Sequence, residues 1–526
     1  MSKATYDVVI LGAGHNGLVA ATYLARAGLS VLLLEKNDYV GGATTSTRVF
    51  PDYDAWLSRY SYLVSLFPGK IICELGLDLE LRRRATGSFT PYQKDGRHDG
   101  LLLSNVSEET SRQSVAALTG SESEFEQMKK FYALARTFAE KTWDSFLEPL
   151  VSKEEMAKHF AKDELSREAW RSLVEEPLGL SLERYLQDDL LRGLVFTDGK
   201  IGVSTYPYDP TLLQNRCFLY HLIGNKTGEW KVPVGGMGAV AQELEEAART
   251  SGAEIVTSVH LRKLDLSGKE RVVEFERDGK AETVNARFLL VNFGRNVLSQ
   301  LIGETFQPDP NDEGSVFKIN LLLKRLPKLK ATRYPAAEAF CGTFHIDEGY
   351  REMNLSYEKS RAGQLPEKLP SEIYCHTLTD DSILSSELRA QGFHTLTLFG
   401  IDTPWSLFAG ANETMRQTAE RRFLEGINHW LAEPLEDCLA VARDGSFCLE
   451  SKSPVDIEES LGLFHGNIFQ SAPTFPFAAT PEQVGTWGVE TEWENVFLCG
   501  SSAHRGGAVS GIPGHNAARK VLELIH

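Results

Sequence analysis

The sequence predicts an α/β protein in which a parallel-sheet Rossmann unit is interleaved with a mixed α+β unit. Three observations carry this. A strand, a glycine turn, a helix and a second strand follow one another before Lys36. α/β character returns near residue 232 and again after residue 486. Between these visits the pattern changes first to long amphipathic helices, then to mixed strands and helices.

The elements follow in order. "YDVVIL" is a continuous β-branched apolar run, as a strand covered on both faces requires, and "GAGHNGLVAATYLARAG" adds a tight turn and a helix with apolar positions every three to four residues. "LSVLLLEK" is the second buried strand and completes a βαβ unit. From 76 to 224, amphipathic helices dominate; in "SEFEQMKKFYALARTFAEKTW", Phe125, Met128, Tyr132, Ala135 and Phe138 share one face. "VPVGGMGAVAQELEEAARTSGAEIVTSV" then reads as glycine turn, helix and strand, with Met237, Val240 and Leu244 inward, and "ERVVEFERDGKAETVNARFLLVNF" as a hairpin turning at "RDGK". Residues 300 to 485 mix strands ("SVFKINLLL", "HTLTLFGI") with a helix ("ETMRQTAERRFLEGINHWL"), and the last forty residues run from the strand "NVFLCG" to the helix "NAARKVLELI". The division this predicts is a nucleotide-binding unit of residues 1–75, 225–300 and 486–526, and a substrate unit of residues 76–224 and 301–485.

Composition sets the outer limits. The 526 residues carry a net charge of −17, which repels polyphosphate and excludes nucleic acid as a partner. The basic spot Lys324, Arg325, Lys328 and Lys330 reads first as a solvated face, with peripheral membrane contact as the other reading. Seven cysteines without a CxxC pair point to a reducing compartment and away from a redox dithiol. No room for a signal peptide precedes "YDVVILGAG" and no run of eighteen apolar residues occurs, so a cytoplasmic location is expected.

Gly12, Gly14 and Gly17 form GxGxxG between a strand and a helix, the context in which that spacing binds a dinucleotide. The first glycine permits the turn, the second lets backbone approach a pyrophosphate, and the third lets helix and strand pack closely. Glu35 ends the second strand, where a carboxylate accepts from ribose hydroxyls and disfavours a 2′-phosphate. Gly41 and Gly42 thin the backbone beyond it, as a cofactor extended across the strand ends needs; Gly235, Gly236 and Gly238 open another helix, with or without a ligand. In the closing "CGSSAHRGGAVSGIPGHNAARKVLELIH", His504 and His515 stand eleven apart across Pro513 and share no metal-binding spacing, and no Walker loop is present. A glycine loop leading into a helix start remains, with backbone N–H groups facing something polar.

Together, "GAGHNGL", Glu35, "GGATT", "GGMGA", "SGAEIVTSV" and "GGAVSGIPGHNAAR" resemble the carotenoid (phytoene) desaturase-like branch of FAD-dependent oxidoreductases. "SRYSYLVSL" and "GSFTPY" look most like the group in that branch named for pyridine nucleotide-disulfide oxidoreductase domain-containing protein 2. The resemblance implies a glutathione-reductase-type FAD fold in which Gly12, Gly14, Gly17 and Glu35, with Lys36 beside it, hold the ADP half. It implies that Gly42, Ala43 and Thr44 run beneath the pyrophosphate and ribityl chain, that the Val259 backbone meets the adenine, and that Gly500 and Ser501 make the second phosphate contact. Gly511, Ile512, Pro513 and Gly514 are implied to sit against the isoalloxazine. Arg505 stands where relatives often carry proline, a change expected to alter polarity on the flavin's substrate side, and the missing cysteine pair argues against disulfide reduction.

The expected activity is that of a dehydrogenase or desaturase taking hydride from an apolar small molecule onto flavin, with electrons passed to oxygen, a quinone or another carrier. Trp405, Phe408, Phe469, Phe475 and Phe477 suit an apolar ligand or an ordinary core. His504 is the expected polar catalytic group, because its loop leads into the flavin helix; a structural histidine is the alternative. A redox-neutral isomerase on reduced FAD, a flavin amine oxidase and a non-catalytic FAD-bound interaction protein stay open.

Overall fold

The computed structural model describes residues 4–525. Val8, Val9, Ile10 and Leu11 are wholly buried in the strand Ala4–Leu11, as their unbroken apolar run requires. Val31–Leu34 pairs with it in parallel on one side (Val8↔Val31) and Lys280–Val291 in parallel on the other (Val8↔Phe288). Glu254–Val256 and Val496–Leu498 extend the parallel layer beyond those two neighbours. Lys280–Val291 also pairs antiparallel with Arg271–Arg277 (Arg277↔Lys280), which closes the hairpin read from "RDGK", and His260–Asp265 lies outside it. Both ends of the chain thus flank one strand, Ala4–Leu11 on one edge and Val496–Leu498 on the other.

The helices that follow these two strands meet directly. His15–Arg26 and Ile512–Ile525 approach so closely that a Cβ at Gly514 would lie 2.1 Å from the Asn16 carbonyl oxygen. In the helix Ser123–Thr142, Phe125, Met128, Ala135 and Phe138 are buried as expected, Tyr132 partly so, and Phe131 and Leu134 widen the buried face. Among the described residues no helix is long and apolar enough to cross a membrane.

The second sheet runs in the order Leu449–Lys452, Phe317–Leu323, His394–Gly400, Ser371–Tyr374, Thr343–Ile346, Thr86–Lys94, Arg97–Ser104. Neighbours are antiparallel except Thr343–Ile346 and Thr86–Lys94. Side chains alternate between its two faces. One face buries Phe317, Ile319, Leu321, Phe344, Ile373 and Leu398 with Ala419, Phe423 and Ile427 of the helix Asn412–Trp430. The other is polar yet equally interior. Register sets Lys318 opposite Phe399, Phe399 opposite Glu372 and Glu372 opposite His345 in one row, and Asn320, Thr397, Tyr374 and Thr343 in the next.

Candidate active site

A cavity of about 1090 Å³ runs from the carboxyl ends of the first sheet to that polar face of the second, the position at which open α/β sheets take ligands. Its first part is a narrow, backbone-lined groove. Gly12, Gly14, Glu35, Lys36, Gly42, Ala43, Thr44, Val259 and Ser501 all lie on its wall. Gly14 caps the helix His15–Arg26 without a side chain, leaving the first-turn N–H groups open toward the groove. Gly42, at φ 59°, brings its backbone beside Gly14: a Cβ there would lie 3.5 Å from the Gly14 Cα. Glu35 Oε2 accepts the Ala13 N–H at 2.8 Å and Oε1 accepts the Asn37 N–H at 2.9 Å. The carboxyl group is therefore fixed, and each oxygen keeps a lone pair for a further donor. This groove fits an extended dinucleotide: a phosphate-height helix terminus, glycines in close approach and a terminal acid stand in one line.

Several expected contacts fall elsewhere. Gly17, Gly500, Gly511, Ile512, Pro513 and Gly514 do not line the cavity. Their compactness serves contacts within the protein: a Cβ would lie 2.4 Å from Gly12 O at Gly17, 2.9 Å from Asn292 C at Gly500, and 3.1 Å from Val19 Cγ2 at Gly511. From the closing loop, Ala508 and Val509 reach the wall instead. The Gly235–Gly238 turn is also a protein contact, since Ser58 Oγ and Ser46 Oγ accept the N–H groups of Met237 and Gly238.

His504 also lies off the cavity wall. It is buried away from the wall, its Nε2 lies 2.9 Å from both Phe475 O and Phe477 O, and burial beside Arg505 holds its pKa down to about 4. A neutral imidazole donating to carbonyls tethers a loop. Arg505 likewise turns from the cavity and donates to the carbonyls of Ser145, Glu148 and Trp487. Of the five aromatics proposed for an apolar ligand, Phe469 alone lines the cavity; Phe408 belongs to the core under the second sheet.

The far part of the cavity is a chamber with aromatic walls and a charged end. Tyr62 and Tyr374 stand 4.7 Å apart between ring centroids, Tyr62 and Phe399 6.0 Å, and Tyr220 and Phe469 4.7 Å across from Trp230. Lys318 Nζ lies 4.6 Å from the Tyr62 ring centroid and donates to Tyr60 O; burial holds its pKa well below the usual lysine range. Glu372 accepts from the Tyr374 hydroxyl, and His345 Nδ1 lies 3.8 Å from its Oε1. Burial raises Glu372 to about 7, poised between its two forms at neutral pH. Asp198 also borders the chamber and is held protonated, well above the usual carboxylate range, by burial and by Glu372 and Glu348. Arg84 closes the end, 9% exposed. None of Arg84, Asp198, Lys318, Glu372 or Tyr374 carries a motif. The available signal was one polar residue alternating within buried strands, as in "FKIN" and "SEIY".

Comparison with known proteins agrees with the groove. A family model described as FAD dependent oxidoreductase matches residues 7–120. An uncharacterized protein of Mycobacterium tuberculosis is 41% identical over 99% of this chain and 97% of its own. Pyridine nucleotide-disulfide oxidoreductase domain-containing protein 2 of Mus musculus is 27% identical over 99% of this chain and 94% of its own. The lycopene-forming phytoene desaturase of Pantoea ananas is 25% identical over 55% and 57%. Among solved structures, putrescine oxidase bound to putrescine matches with a TM-score of 0.56 at 17% identity, covering 99% of both chains, a likeness of fold alone. With an open helix terminus, a fixed Glu35 and whole-length relatives of this kind, the chain belongs to the FAD-dependent oxidoreductases and is an enzyme that uses FAD.

Proposed function

We propose that the enzyme is a dehydrogenase or desaturase that takes a hydride from a carbon of a small substrate with an apolar body, the neighbouring proton passing to Glu372. The observation that carries this is the continuity of one cavity from the backbone-lined groove to an aromatic chamber holding a carboxyl group poised near neutrality. In this reading Gly12, Gly14, Glu35, Lys36, Gly42, Ala43, Thr44, Val259 and Ser501 hold FAD along the groove, and residues 1–75, 225–300 and 486–526 form the unit that binds it. FAD supplies the two-electron hydride acceptor, and the electrons leave to oxygen, a quinone or another carrier.

The chain's own residues do the rest. Tyr62, Phe399, Tyr220 and Trp230 hold the substrate body and keep water from the reacting carbon. The Tyr374 hydroxyl donates to Glu372 and fixes the direction of its carboxylate. Glu372, ionised in part at neutral pH, takes the proton in that form and returns it to solvent after product leaves.

Anaerobic mixing of FAD-loaded enzyme with apolar alcohols, amines and alkenes tests the reading, with the flavin spectrum and product mass followed together. Bleaching of the flavin with a product two hydrogens lighter is expected. A product of unchanged mass would assign a redox-neutral isomerase instead, and bleaching by amines alone would assign an amine oxidase.

A further inference from the structure

Arg84 borders the chamber and, like Lys318 and Asp198, has no part in the reaction above. It sits just before the strand Thr86–Lys94, its carbonyl held by Asn105 Nδ2 at 3.0 Å. Its guanidinium is buried and lines the cavity. Nη1 donates to Thr343 Oγ1 at 3.0 Å, and that is its only hydrogen bond to another side chain among the described residues. Nε is buried with no partner. Among the described residues no carboxylate lies within ion-pair distance of it. Glu372, an acid on the wall, accepts from the Tyr374 hydroxyl, and Asp198 is held protonated.

A guanidinium stays charged in any protein setting, and an unpaired buried charge is strongly unfavourable. With Nη1 taken by Thr343 and Nε covered by protein, the Nη2 edge is the part of the guanidinium left for a ligand. A charge-assisted N–H donor there matches a carboxylate oxygen. The Tyr374 ring, 5.8 Å from the guanidinium carbon, and the Tyr62 ring beyond it lead from this edge to the apolar wall.

We infer that the substrate is an organic carboxylate, its carboxyl group held by the Nη2 edge of Arg84 and its apolar body lying along Tyr62, Tyr374 and Phe399. The inference rests on the chamber being the substrate end of the cavity. It also accounts for the mixed lining, since a purely apolar substrate leaves Arg84 unpaired and a protonated amine is repelled by it.

The test is calorimetric titration of the FAD-saturated enzyme with paired probes, phenylacetate against phenylacetamide and hexanoate against hexanamide. The carboxylates are expected to bind about tenfold or more tightly than the amides, the scale of a charge-assisted hydrogen bond. Arg84→Gln is expected to abolish that preference and Arg84→Lys to keep part of it, with FAD content unchanged in both. Equal binding of acids and amides by the wild-type protein overturns the inference without any variant, and so does binding of neither. Loss of FAD from Arg84→Gln with the carboxylate preference intact also overturns it, by assigning the guanidinium to the cofactor. Titration heat does not depend on turnover. A carboxylate that binds through Arg84 while no compound ever bleaches the flavin supports the inference and defeats the dehydrogenase reading alone.

Discussion

Glu372→Gln separates a poised carboxyl group from a passive one through stability. In the folded protein burial lifts Glu372 from the ordinary glutamate value of 4.5 to about 7. Between those values the folded state keeps a proton that the unfolded chain has released, so stability from this group is full below pH 4.5 and is lost as pH rises through 7. At about 1.4 kcal/mol per pH unit the loss reaches about 3 kcal/mol by pH 8. The site is 3% exposed, so solvent screening does not reduce this figure. Lys318, with its pKa lowered by burial, is present in wild type and variant alike and drops out of their difference, and the other facing groups do not confuse the window. His345 is held neutral, with its pKa lowered to about 4, Glu348 and Asp198 are held protonated well above the usual range, and Tyr374 and Arg84 keep their protons throughout. Glutamine still accepts from the Tyr374 hydroxyl and has no charge to bury. Urea unfolding of FAD-saturated wild type and variant, followed by circular dichroism from pH 5 to pH 8, is therefore expected to show the variant gaining on the wild type by about 3 kcal/mol across the range. A difference between variant and wild type that stays flat with pH would refute the assignment of Glu372 as the titrating group.

Three further substitutions probe the frame. Gly514→Ala places a methyl 2.1 Å from the Asn16 carbonyl oxygen and forces the last helix from the first, costing about 1–3 kcal/mol with partial loss of FAD, because Asn16 borders the groove. Melting temperature and flavin absorbance per protein report it, and an unchanged pair of values would show that the helices do not depend on this contact. Gly42→Val puts a β-branched residue at φ 59° on the groove floor and is expected to weaken FAD binding about tenfold or more while the apoprotein stays folded. Wild-type affinity in a calorimetric titration would remove Gly42 from the FAD contact. His504→Ala leaves the Phe475 and Phe477 carbonyls without their donor and is expected to destabilise by about 1–3 kcal/mol while the rate of flavin reduction holds. A lost rate with unchanged stability would restore His504 to the chemistry.

The nucleotide groove was legible because its determinants are local. A turn that needs Gly12, a helix start at Gly14 and a strand that ends at Glu35 lie within one stretch of chain, and each leaves a residue-type signature there. The closing loop was half legible. Its glycines declared close approach, but a glycine is small toward a ligand and toward backbone alike, and Gly514 spends its smallness on Asn16. His504 was misjudged for a related reason: proximity in sequence to a wall-forming loop says nothing about which way a ring turns, and two carbonyls of a distant segment claimed it. The chamber was not legible at all, because it is written across strands. Lys318, Glu372 and His345 are separated by many residues and meet only through the register Lys318↔Phe399↔Glu372↔His345. In sequence, "FKIN" and "SEIY" read as antiparallel strands with one face in water. Only the fold reveals that the polar face is interior, where each unpaired group is costly. Apolar residues would fill such a face more stably, so the polar rows are explained by what they bind and move rather than by what they hold together. Arg84, whose Nε finds no partner among the described residues, marks where that demand is greatest.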